Sequence, residues 1–345
     1  MKRIFAICIG LLCTLPILTQ AQVKVGEKGV LKGKIFSDYY WMAQNNNDDI
    51  EGQNGFWFRR IYLTYERKFS DSFSSRLRFS MSNPGDFSSS VKMIPNVKDA
   101  YLKWQNEQHQ ILAGISSTPT WGLVEDVWGY RSVEKSPLDL FDFGSSRDMG
   151  LSFKGELADK LNYHFFAGNG NSNKAEVNKG KKLMLSLGYE ITEHFVVEVY
   201  GDWNDSADDP SKTDSKTIQF FGGYQSDNFN FGALYANRHI DGTLGVPATK
   251  LDLVSAFTNM AFNENTKGFL RVDHLFDPYV GGSSNSYIPF AENAEPTFIV
   301  GGVDFKLEDN IRLMPNIEAI VYGDPVIGPQ PDTDLIPRLT LFYKF

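Results

Sequence analysis

Beyond residue 13 the chain contains no cysteine; its two, Cys8 and Cys13, both fall in the opening segment. That removes disulfides, thiol catalysis and cysteine metal sites from everything that follows. No stretch holds eighteen consecutive apolar residues. This excludes a membrane-spanning helix but not a membrane β-barrel, whose strands are alternating segments of about ten residues. Basic residues are in the minority, 34 Lys and Arg against 42 Asp and Glu, for a formal charge of −8. Nucleic acid is therefore not an expected partner. Histidine is sparse: His109, His164, His194, His239 and His274 are scattered without metal-ligand spacing, and no G-x-S-x-G elbow occurs. No cofactor or metal is expected, and the chain does not read as an enzyme. A Ser/His site assembled in space on a barrel remains a minor alternative. The acidic run 202–214 lacks EF-hand spacing and reads as a solvated loop.

What is present begins with a targeting signal. Met1-Lys2-Arg3 precedes an apolar run from Ile4 to Leu18, and Thr19-Gln20-Ala21 offers small residues at a cleavage position. Residues 1–21 are expected to be a signal peptide cut after Ala21. The apolar run is shorter than the roughly twenty residues of a spanning helix. Residues 22–345 then form one domain.

That domain is rich in aromatics, 14% of the chain. It breaks into about sixteen alternating runs: 31–41, 55–69, 73–83, 97–105, 108–118, 147–157, 161–170, 181–191, 194–203, 216–225, 228–238, 250–262, 267–277, 296–307, 310–322 and 335–345. Short turns alternate with longer loops, and an even count puts both termini on the short-turn side. One face of the clearest runs is apolar, as at Leu183, Leu185, Leu187 and Tyr189, or Leu339, Leu341 and Tyr343. The other carries charge, as at Asp148, Lys154, Arg312, Glu318 and Arg338. The expected fold is all-β: a closed antiparallel transmembrane β-barrel with apolar residues toward lipid and a wide, polar lumen. The competing reading is a secreted or surface β-sandwich that binds glycans, or an adhesin. The chain ends in Phe345 with Tyr343 at period 2 before it, a pattern like the signal by which outer-membrane barrels reach their assembly machinery.

Three segments sharpen this. Residues 55–86 (GFWFRRIYLTYERKFSDSFSSRLRFSMSNPGD), 97–104 (VKDAYLKW) and 145–157 (SSRDMGLSFKGEL), with Asn169-Gly170 nearby, resemble the phosphate-selective porin O and P family. The resemblance covers the N-terminal half. It implies sixteen-stranded, trimeric outer-membrane diffusion channels for small hydrophilic solutes or ions. The chain departs from the basic pores of that family in being acidic overall and lacking lysine runs, which weighs against phosphate selectivity.

The longest loop, 119–146, is the third of the long ones. Its length and its aromatics (Trp121, Trp128, Tyr130, Phe141 and Phe143) are expected to fold it into the lumen. Glu125, Asp126, Arg131, Glu134 and Lys135 are the candidate constriction residues on it, with Arg147 and Asp148 just beyond its exit. Arg60, Arg76, Arg78 and Arg338 face them from the wall by parity. Arg76 is expected to pair with Glu66 across the strands. Arg78 and Arg60 are expected opposite Thr64 and Ser82. Arg147 is expected to hold the loop through Asp142 or Asp148. Acids and bases on the polar faces nearly balance, so weak ion selectivity is expected.

Overall fold

A computed structural model describes residues 22–206, 213–242 and 247–345; the expected signal peptide and the tips of two loops lie outside these residues. The strands are β1 (Val23–Val25), β2 (Gly29–Trp41), β3 (Asn54–Lys68), β4 (Phe73–Met81), β5 (Asn96–Gln105), β6 (His109–Ser117), β7 (Arg147–Ala158), β8 (Leu161–Gly168), β9 (Lys182–Glu190), β10 (Phe195–Asn204), β11 (Ser215–Gln225), β12 (Phe229–Ile240), β13 (Thr249–Asn263), β14 (Thr266–Leu275), β15 (Pro296–Glu308), β16 (Ile311–Tyr322) and β17 (Asp334–Lys344). From β2 onward each strand pairs antiparallel with the next, and β17 pairs with β2. The sheet therefore closes as a 16-stranded barrel, with β1 as one extra strand. Closure leaves none of the free sheet edges that a sandwich keeps, and none that lipid would leave unbonded. The sandwich alternative is not favoured.

The outer surface carries the apolar half of the alternation. Leu183, Leu185, Leu187 and Tyr189 of β9, Val199 and Trp203 of β10, and Ile317 and Val321 of β16 are all exposed. A polar solvent gives no reason to expose such a band, whereas a bilayer does.

Two β-bulges break the parity of the inner face. Phe36 pairs with Arg60 and Ser37 with Phe58, leaving Arg59 as the extra residue of β3. Arg78 pairs with Asp99 and Phe79 with Val97, leaving Lys98 as the extra residue of β5. A bulge sets two successive side chains on one side of a strand. Arg59 joins Arg60 inside the barrel, and Lys98 joins Asp99.

The inner face is not uniformly polar, which corrects the expectation of a wide wet lumen. Toward β11–β17 it is lined by Phe221, Leu234, Leu253, Phe257, Phe298, Val300, Met314, Ile320 and Ile336, all buried in one cluster. Toward β3–β7 it carries Arg60, Tyr62, Arg76, Arg78, Tyr101, Lys103 and Lys154, which keep partial exposure. The barrel thus has a packed half and an open half.

The chain end completes the closure. Phe345 and Gly33 exchange backbone hydrogen bonds at 2.8 and 3.1 Å, and β1 pairs with β2 at Gly29–Leu31, just beyond that point. The Phe345 ring lies on Gly33 so closely that a Cβ there would sit 2.2 Å from the ring. Gly33→Val is expected to displace the ring and cost about 1–3 kcal/mol. Urea unfolding of the refolded barrel should show the loss, and Phe345→Ala in the same chain should recover much of it.

Candidate functional site

The third long loop crosses the lumen. It contains α1 (Gly122–Trp128) and α2 (Pro137–Leu140). Val124, Val127 and Trp128 recur at helical spacing and give α1 one buried face. Gly129 ends α1 in the left-handed conformation, its N–H donating to the Glu125 carbonyl. Pro137 starts α2, where its missing N–H costs nothing. The buried side chains seat on the packed half of the wall. Tyr130 stacks on Phe269 with centroids 4.3 Å apart, and Trp128 meets Phe257 edge-on at 5.4 Å. Loop 276–295 closes over the far end, with Phe141 edge-on to Tyr279 at 5.4 Å and the Asn285 amide donating to the Leu140 carbonyl at 2.7 Å.

Charge fixes the loop where the packing alone would let it slide. Glu134 enters between Arg59 and Arg338, at 2.6 and 4.0 Å. Asp38 lies 3.6 Å from Arg59 and 3.8 Å from Arg338, and Glu318 lies 2.9 Å from Arg338. Every member of this cluster is 4% exposed or less. Arg59 also donates to the Val133 carbonyl, and Arg338 to the Tyr287 carbonyl at 2.6 Å. A second buried arginine, Arg271, pairs with Asp273 at 2.8 Å and donates to the Lys135 carbonyl at 2.6 Å; its guanidinium lies 5.1 Å from the Trp128 ring centroid. Burial would raise the Glu134 carboxyl, but Arg59 and Arg338 overcome it and hold it below the usual carboxylate range.

The candidate residues therefore fall into two groups. Glu134 and Arg338, expected along the passage, are sealed in the anchoring cluster. Lys135 donates to Asn285 at 2.7 Å, also as an anchor. Asp148 accepts from the N–H groups of Met149 and Gly170, at 2.8 and 2.6 Å, and ties down the next loop. Arg131 faces the open half, held by Asp139 at 3.1 Å and Glu125 at 3.5 Å. Asp126 is exposed beside a separate cavity under β8–β10.

Across from Arg131 stands the polar wall. Arg76 pairs with Glu66, as parity implied. Arg78 donates to Thr64 at 2.8 Å and lies 3.4 Å from Asp99. Arg147 reaches neither Asp142 nor Asp148; its partner is Asp99, which the bulge in β5 turns inward. Three cations are bonded only to hydroxyls: Arg60 to Ser82 at 3.4 Å, Lys98 to Ser146 at 2.8 Å and Lys154 to Ser117 at 2.9 Å. Arg78 and Arg76 lie over the rings of Tyr62 and Tyr101, at 5.3 and 5.7 Å.

Sequence parity missed Arg59 and Lys98, both supplied by bulges, and Arg271. The near-continuous apolar character of 251–257 was the available signal for a strand buried on both faces. Ser152 Oγ lies 2.9 Å from His164 Nε2 on the inner wall. No carboxylate orients that imidazole among the described residues, so the pair lacks the third member of a hydrolytic triad.

The chain is similar to an anion-selective porin from Comamonas acidovorans, at 10% identity over 92% of this chain and 99% of that one, with a TM-score of 0.69. It is similar to the outer membrane channel DcaP of Acinetobacter baumannii, at 12% identity over 94% and 100%, with a TM-score of 0.65. It is also similar to the trimer form of OmpT, an outer membrane protein of Vibrio cholerae, at 14% identity over 92% and 100%, with a TM-score of 0.61. The fold is that of the outer-membrane porins. No family model and no curated protein matches the sequence.

Arg59→Met would leave Glu134 buried beside one guanidinium instead of two. The expected cost is about 3–5 kcal/mol, read as new protease cutting within 118–146 and as noisier single-channel current; adding Glu134→Gln should restore part of both. The depressed Glu134 carboxyl contributes stability above its unfolded value of about 4.3 and loses it as pH falls below that. Wild-type current noise should therefore be flat from pH 5 to 8 and rise only in stronger acid.

Proposed function

We propose that the protein is an outer-membrane diffusion channel for small hydrophilic solutes, passing anions in moderate preference to cations. The observation that carries this reading is the state of the open half. Its acids Glu66 and Asp99 are consumed by Arg76, Arg78 and Arg147, while Arg60, Lys98 and Lys154 meet only hydroxyls. A count over the whole chain balances because it includes pairs such as Arg271 and Asp273 that no solute meets. An uncompensated cationic wall beside water raises the local concentration of anions.

The resemblance to phosphate-selective porins O and P supports the same assignment in a specific way. Its three segments, 55–86, 97–104 and 145–157, are the ones that furnish Arg60, Arg76, Arg78, Lys98, Arg147 and Lys154. Phosphate selectivity is not part of the proposal, since the three hydroxyl-bonded cations are separated by paired ones. The reading also includes export by the signal at 1–21, insertion by the barrel-assembly machinery through the Tyr343 and Phe345 terminus, outer-membrane lipid as surroundings, and a homotrimer as the working form.

Planar-bilayer recording under a salt gradient tests the channel and its preference together. The expected reversal potential has the sign of anion preference, with a permeability ratio of a few-fold. Replacing Arg60, Lys98 and Lys154 by Gln should bring the ratio to about one. A cation-preferring wild type, or a ratio unmoved by the triple substitution, would refute the assignment.

A further inference from the structure

Below the crossing loop, on the short-turn side, lies a separate cavity of about 230 Å³ lined by Lys34, Phe36, Tyr130, Lys267, Met314 and Phe342 among others. Its floor is apolar: the Phe36 and Phe342 rings are 5.7 Å apart, and Met314 is buried beside them. The Lys34 ammonium stands over both rings, 5.7 Å from Phe36 and 5.9 Å from Phe342. One carboxylate lines the cavity, Asp304, and it is already engaged by Arg312 and by the Tyr130 hydroxyl at 3.2 Å. Arg131, on the rim, is held by Glu125 and Asp139. Among the described residues neither Lys34 nor Lys267 has a carboxylate within 4.0 Å. The cavity therefore sets two ammonium groups without counter-charge beside an aromatic floor.

We infer that this cavity is a subsite for monocarboxylates with a compact apolar body, aromatic or branched, where they halt during passage. The carboxylate would take the place of the missing counter-charge at Lys34 and Lys267. The apolar body would cover Phe36, Phe342 and Met314, gaining roughly 25 cal/mol for each Å² it removes from water. The volume is below that of pockets for drug-sized ligands and suits a single ring with one acid group. Chloride and acetate present the charge without the body, so they should not linger. The inference rests on the diffusion-channel reading for its physiological meaning, though the cavity can be tested without it.

Calorimetric titration of the detergent-solubilised barrel with benzoate, cyclohexanecarboxylate and acetate is the primary test. Saturable binding of the two ring acids, at least tenfold tighter than acetate, is expected. Lys34→Gln with Lys267→Gln, and separately Phe342→Ala, should each remove that tenfold difference, with heat-modifiable migration confirming that the variants are folded. No saturable binding, equal affinity for acetate, or binding untouched by the substitutions would overturn the subsite. Bilayer recording separates the two levels: ring acids should interrupt the current at concentrations where acetate does not. A barrel that binds benzoate yet never conducts would support the subsite and sink the channel reading.

Discussion

A loop laid across a barrel stays there only if its contacts exceed the conformational freedom it gives up, about 1–2 kcal/mol for each backbone residue fixed. Here the opposing term is apolar burial on one side. Trp121, Val124, Val127, Trp128, Tyr130, Val133, Leu138, Leu140, Phe141 and Phe143 all enter a single cluster with the inner wall of β11–β17. Each such side chain contributes about 1.5–3 kcal/mol when fully buried. The two terms are of similar size, so position is decided by directional contacts. The insertion of Glu134 between Arg59 and Arg338 is the strongest of these. A carboxylate in that place is tolerable only with both guanidiniums present, and slippage of the loop would strand buried charge on both sides.

The asymmetry of the lumen follows from that anchoring. Because the loop packs against one half of the wall, the other half keeps its water and its charges. The wall of β3–β7 then acts on whatever passes, while the arginines of the packed half act on the loop alone. Charges that look equivalent in the chain therefore have different work. Arg338 and Arg78 both point inward, yet Arg338 is sealed against Glu318 and Arg78 keeps access to water.

Much of this was legible from residue order. The hairpin rhythm was, because period-2 alternation and turn residues are local signals. So was the inward course of 119–146, since a long loop dense in Trp, Tyr and Phe has to bury them somewhere. The pairing of Arg76 with Glu66 followed from the register set by the turn at 70–71. Parity failed where the backbone gained a residue: the bulges at Arg59 and Lys98 have no reliable mark in a single sequence, and each delivers a functional charge. The apolar inner wall was hidden for another reason. An inward Leu253 or Phe257 looks the same in the sequence as one facing lipid, and only the arrival of the loop explains it.

The central claim is that the crossing loop divides the lumen into a wet half and a dry half. The absence of cysteine after residue 13 makes this directly measurable. Single substitutions Lys98→Cys and Leu253→Cys place one thiol on each half, and a charged, water-soluble thiol reagent is added during bilayer recording. Rapid modification at position 98 with a step change in current, and none at position 253, is the result predicted. Comparable reaction at both positions would contradict the division of the lumen on which the rest depends.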